Sequence, residues 1–129
     1  MKTRHYIIFA ALLMASASAG FTILKKNEVK HVVVFKYKET ATPAQIDEVT
    51  SAFKALKGKI PGIVSFEHGV NNSPENLNKG FTHIYVLTFE DIKARDTYLP
   101  HPEHKVFGQL LGKLNILDDV FVVDFQDQE

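Results

Sequence analysis

Between Lys30 and Lys38 the chain reads KHVVVFKYK, a β-branched and aromatic run that predicts a first strand from about Lys30 to Tyr37. Thr42-Pro43-Ala44-Gln45 follows, offering an N-cap, a proline at the first helical position and a glutamine three residues after the cap. Such a capping box contributes about 1 kcal/mol. Ile46, Val49, Phe53, Leu56 and Ile60 then recur at steps of three and four, the apolar stripe of a helix that Gly58 and Pro61 bring to an end. A second strand is expected from about Ile63 to Val70, NNSPENLNKG is a polar loop, and FTHIYVLTFE is a third strand. Glu90 or Asp91 opens a second helix that breaks at Pro100, resumes after Pro102 and runs to about Leu114; DVFVVDF is the last strand. The order β-α-β-β-α-β predicts an α+β, ferredoxin-like fold, a four-stranded antiparallel sheet with two helices on one side.

The same pattern bears on assembly. His31, Val33 and Phe35 share one face of the first strand and Val32 and Val34 the other; His83, Tyr85 and Leu87 likewise oppose Ile84 and Val86. A half-exposed antiparallel sheet alternates apolar with polar residues, so two apolar faces call for a second cover. A second copy of the sheet, in a two-fold homodimer, is the simplest.

Composition changes the picture at the N-terminus. Lys2 and Arg4 precede an apolar run from Tyr6 to Ala15, and Ala17-Ser18-Ala19 offers small residues for a signal peptidase. Residues 1–19 therefore read as a signal peptide cut after Ala19, which predicts a secreted or periplasmic protein. The run is shorter than the roughly 20 residues of a spanning helix, so no stable membrane insertion is expected after cleavage. Residues 20–28 form a polar lead-in and 29–127 a single domain. Without Lys2 and Arg4, 13 of the 15 basic side chains remain against 15 acidic ones, a balance that gives no reason to expect nucleic acid as a partner. The chain has no cysteine for a disulfide or a lipid anchor.

Candidate chemistry gathers at TYLPHPEHKVFG, residues 97–108. Pro100 and Pro102 push the residues before them, Leu99 and His101, out of helical geometry, and Pro102 suits the first turn of a new helix. On one unbroken helix Tyr98 and His104 would point about 240° apart, whereas a break lets both aim into one space. His104 falls beside the positive end of a helix dipole, which favours the neutral imidazole that a base needs. Tyr98 would then orient His104 or donate to a substrate oxygen. His31 and His83, with Val33, Phe35 and Tyr85 on the same face and Phe107 on the helix, are expected to line that space as binding residues. His101 reads as a junction residue and His68 as lying near a strand end. HPEH has the HxxH spacing of metal ligands, with Glu67 or Glu103 nearby, but the pattern is short and common, so neither metal nor cofactor is expected.

KHVVVFKYK, GFTHIYVLTFED and YLPHPEHKVFG, in this order, resemble the stress-responsive α/β-barrel (Dabb) domain family over about Lys30 to Phe125. The resemblance implies a dimeric α+β barrel. It also implies, from a plant polyketide cyclase of the family, that His104 is a base with Tyr98 as its partner and that His31 and His83 share their pocket. The leading expectation is an exported protein binding a small apolar, aromatic or polyketide-like molecule. The alternatives are a cyclase or lyase working by intramolecular aldol chemistry through His104 and Tyr98, and a non-catalytic interaction domain whose core is plugged by Phe35, Phe53, Tyr85 and Phe107.

Overall fold

The computed structural model describes residues 27–128; the expected signal peptide and most of the lead-in lie outside them. The elements run β1 (Val29–Tyr37), α1 (Pro43–Lys59), β2 (Ile63–Val70), β3 (His83–Phe89), α2 (Ile92–Tyr98), α3 (Pro102–Leu114) and β4 (Leu117–Phe125). The strands form one antiparallel sheet in the order β2-β3-β1-β4, the ferredoxin-like arrangement read from the sequence. β3 begins at His83, two residues later than FTHIYVLTFE suggests, and β4 begins at Leu117, two residues before DVFVVDF.

Each helix starts where the local chemistry directs it. Thr42 and Gln45 form the reciprocal capping box of α1, Pro43 occupies its first turn, and Val49, Phe53 and Leu56 are buried. Asp91 caps α2 by accepting from the Ala94 amide at 2.8 Å. At Gly62, where φ is +93°, a Cβ would lie 2.7 Å from that of Ala94, so glycine lets α2 settle close against the start of β2. Asn115, in the left-handed region at φ 51°, closes α3.

The register assigns the two faces of the sheet. Val29, His31, Val33 and Phe35 pair with Phe89, Leu87, Tyr85 and His83, and all but His83 are buried beneath the helices. An irregularity between Ile63 and Ser65 brings Ile63 and Phe66 to the same side. The other face carries Val32, Val34, Ile84, Val86, Phe121 and Val123; no helix among the described residues covers it, and Phe121 and Val123 are 50% and 42% exposed.

One backbone expectation fails. Leu99 keeps right-handed helical angles (φ −56°, ψ −46°) although Pro100 follows it. The steric bias before proline is a preference that local bonds override, and here the Leu99 amide donates to Arg95 O while its carbonyl accepts from His104. The turn falls instead at His101 (φ −60°, ψ 137°), the N-cap of α3.

Candidate functional site

The break between α2 and α3 brings Tyr98 and His104 together, with ring centroids 4.3 Å apart. Beside them is a cavity of about 250 Å³ between β1, β4 and α3. Val33, Phe35, Phe53, Phe107, Val120 and Val122 supply most of its wall, and His31, Tyr98 and His104 supply its polar groups. An apolar cavity of roughly 150 Å³ holds benzene, so this one accommodates a substituted ring or a short chain.

Each polar group is held in a defined way. Tyr98 is fully buried, and its ring packs against Phe89 (4.9 Å) and edge-on to His31 (5.7 Å). Its hydroxyl has no hydrogen-bond partner among the described residues. Burial, reinforced by the charge of Asp124, pushes the phenol's pKa above its usual value, so Tyr98 keeps its hydroxyl proton rather than standing as a phenolate. His104 Nδ1 lies 2.9 Å from the Leu99 carbonyl, which can only accept. Nδ1 therefore carries a proton, and in the neutral ring Nε2 keeps its lone pair.

His31 is 6% exposed, and its Nδ1 lies 2.6 Å from Asp124 Oδ1 on β4. The other carboxylate oxygen of Asp124 accepts from Arg95 on α2. Burial pushes the Asp124 carboxyl up, but the bonds from Arg95 and His31 and their charges outweigh it and hold the group below the usual carboxylate range.

Of the residues expected at the site, His31, Val33, Phe35, Tyr98, His104 and Phe107 surround the cavity. His83 and Tyr85 do not, and their placement in a common pocket is corrected. His83 pairs with Phe35, four residues along β1 from His31 and about 13 Å away at the strand rise. It packs edge-on to Tyr37 at 4.9 Å. Tyr85 is buried between Phe35, Phe53 and Phe66, and its hydroxyl meets those of Tyr37 (3.0 Å) and Thr50 (2.9 Å). His68 is exposed and stacks over Tyr85 at 6.2 Å, and His101 caps α3 by accepting from the Glu103 amide. Asp124 and Arg95 were missed. The only signal was parity, which puts Asp124 on the same face of β4 as Val120 and Val122.

Residues 29–127 match the Stress Responsive A/B Barrel Domain. The stress-response A/B barrel domain-containing protein HS1 of Arabidopsis thaliana is 36% identical over 101 residues, covering 78% of this chain and 91% of that protein. Olivetolic acid cyclase of Cannabis sativa is 34% identical over 82 residues, covering 64% of this chain and 81% of the cyclase. The crystal structure of a dimeric ferredoxin-like protein from Jannaschia sp. CCS1 superposes with a TM-score of 0.66 at 27% identity, covering 78% of this chain and 99% of that one. The match of residues 29–127 to the family, together with 36% identity to HS1 over 101 residues, makes this chain a member of the stress-responsive A/B barrel (Dabb) domain family.

Proposed function

We propose that the chain is an exported, homodimeric protein whose cavity binds a small organic molecule with an apolar or aromatic body and an oxygen acceptor. The Tyr98 hydroxyl carries this reading: a buried donor with no partner among the described residues, in a cavity whose walls are otherwise mostly apolar. An unpaired buried hydroxyl costs about 1–3 kcal/mol, and a ligand oxygen removes that cost. The test is a melting-temperature screen of aromatic, polyketide-like and fatty ligands at saturation, where a ligand at 100 times Kd adds about 2.7 kcal/mol. Tyr98→Phe should leave the empty protein at least as stable and shrink the ligand-induced rise. A screen in which no ligand moves the melting temperature removes the basis for binding.

The free Nε2 of His104 beside Tyr98, together with the similarity to olivetolic acid cyclase, favours an enzymatic second reading. His104 takes a proton from carbon next to a carbonyl, Tyr98 donates to the developing oxyanion, and the carbanion closes on a second carbonyl in an aldol or related lyase reaction. His104→Ala then abolishes turnover of a linear poly-β-ketone while the melting temperature holds; undiminished turnover dismisses the assignment. The void beside His104 speaks against a core plugged by its own side chains.

The homodimer is supported by the uncovered apolar sheet face and by the dimeric Jannaschia neighbour. Export rests on the residue pattern of positions 1–19. An intact mass that starts at Gly20 in an exported fraction is the expected result, and a chain retaining Met1 there overturns it.

A further inference from the structure

The space between the sheet and the helices is divided in two. Over β1 and β4, beside α3, lies the cavity; over β3, where Thr50 of α1 bonds to Tyr85, aromatic rings fill the core. Phe35 and Phe53 stand at the boundary, since both line the cavity and both pack against Tyr85, which does not line it. Phe53 is held from two sides: Phe107 stacks on it at 4.5 Å and Tyr85 lies against it at 5.2 Å. Tyr85 is itself 1% exposed, and its hydroxyl meets those of Tyr37 on β1 at 3.0 Å and Thr50 on α1 at 2.9 Å. Swinging that ring aside would break two hydrogen bonds out of reach of water, so the ring is fixed and Phe53 has nowhere to retreat. This group of hydroxyls takes no part in the chemistry at Tyr98 and His104.

On the reading of the cavity as a ligand site, we infer that Phe53 and Tyr85 are its length-limiting residues, with Tyr37 and Thr50 as positioning residues for the Tyr85 ring. The polar end of the cavity is at Tyr98, which packs against His31 of β1. Phe35 lies four residues further along the same strand, about 13 Å away at the strand rise. A ligand whose oxygen meets Tyr98 therefore has room for one ring and a short substituent before it reaches Phe35 and Phe53. A longer tail would have to enter the half of the core beneath α1, and the Tyr85 ring already occupies that path. The ligand class is a compact ring or short chain with an oxygen acceptor, and long alkyl tails are excluded.

Titration calorimetry of the intact protein with para-alkylphenols, from ethyl to octyl, tests the assignment. Each methylene that finds apolar room tightens Kd about fourfold. In the unmodified protein the gain should stop after the first few members, and Kd should then level off or weaken. Tyr85→Val keeps a strand-forming residue but vacates the ring, so the tightening should continue to longer members. Phe53→Leu should extend it as well, and decides the matter if the valine variant does not fold. Tyr85→Phe loses both hydroxyl bonds but keeps the ring; it should lower the melting temperature and leave the cut-off in place. A merely structural Tyr85 predicts a lower melting temperature in both Tyr85 variants and one common cut-off. Tightening that runs on to octyl in the unmodified protein, or a cut-off that stays put in the folded Tyr85→Val or Phe53→Leu protein, overturns the inference. Binding with an unmoved cut-off defeats the length limit alone, whereas no binding by any member in any form defeats the ligand reading and this inference with it.

Discussion

Gly108 sits inside α3 with ordinary helical angles, and a Cβ at this position would meet nothing within 4 Å among the described residues. A helix-interior glycine costs about 0.5–1 kcal/mol relative to alanine, and no close contact at this position requires it. It does line the cavity. Gly108→Ala should therefore raise stability by about 0.5–1 kcal/mol in denaturant melts while narrowing the cavity by a methyl group. Gly108→Phe should fold and lose ligand-induced stabilisation; retention of ligand binding would place the ligand elsewhere. His83 makes a pH prediction of its own. Burial, and then the charge of His68, hold its imidazole below the usual value. The unfolded chain takes up its proton at about pH 6.5 and the folded chain only at lower pH, so protons favour unfolding across that interval. The His83 contribution is fully present above about pH 6.5 and is lost as pH falls towards the folded value. His83→Gln should flatten the fall in melting temperature between pH 7.5 and 5, and His68→Gln should reduce it in part; an unchanged slope in both variants rules the pair out as its source.

At the scale of elements, the short helix α2 bears most directly on the site, because Arg95 and Tyr98 both lie on it. Its start depends on Asp91, so Asp91→Ala should cost about 1 kcal/mol, with Asp91→Ser retaining most of it. Ligand affinity should fall in the same variant, since a frayed α2 misplaces both residues; a stability loss with unchanged affinity would separate the cap from the site. The elements themselves were legible in the sequence for local reasons. The capping box at Thr42, the stripe Val49-Phe53-Leu56 and the prolines around His101 each act within a few residues, where pattern and physics coincide. The position of His83 was not legible, because strand parity assigns a face but not a distance along it. The His31–Asp124 bond joins residues 93 apart in sequence, and a single aspartate on an edge strand reads as solvated until the register is known. The chain thus revealed which groups share a side of the sheet, while the pairing of strands decided which of them meet.

For the whole molecule, the decisive feature is the sheet face opposite the helices. Val32, Val34, Ile84 and Val86 continue onto Phe121 and Val123 of the edge strand β4, forming an apolar surface that spans three strands. Exposed patches of this kind are rare on monomers, and a stable pair buries about 1,200–2,000 Å² in total. A self-complementary face also satisfies two-fold closure, in which each residue finds its symmetry mate's patch without leaving a free end. A charge placed at its centre should be intolerable in the pair and harmless to the cavity, which lies on the other face. Val34→Glu combined with Phe121→Asp should therefore convert a dimer to a monomer in native mass spectrometry. Glu67→Lys, a charge change on the same face but on the far strand β2, where the surface is polar, should leave the assembly paired. If the unmodified protein is itself monomeric at micromolar concentration, the second apolar face needs another cover. If the double variant remains a dimer, the two copies meet through some other surface.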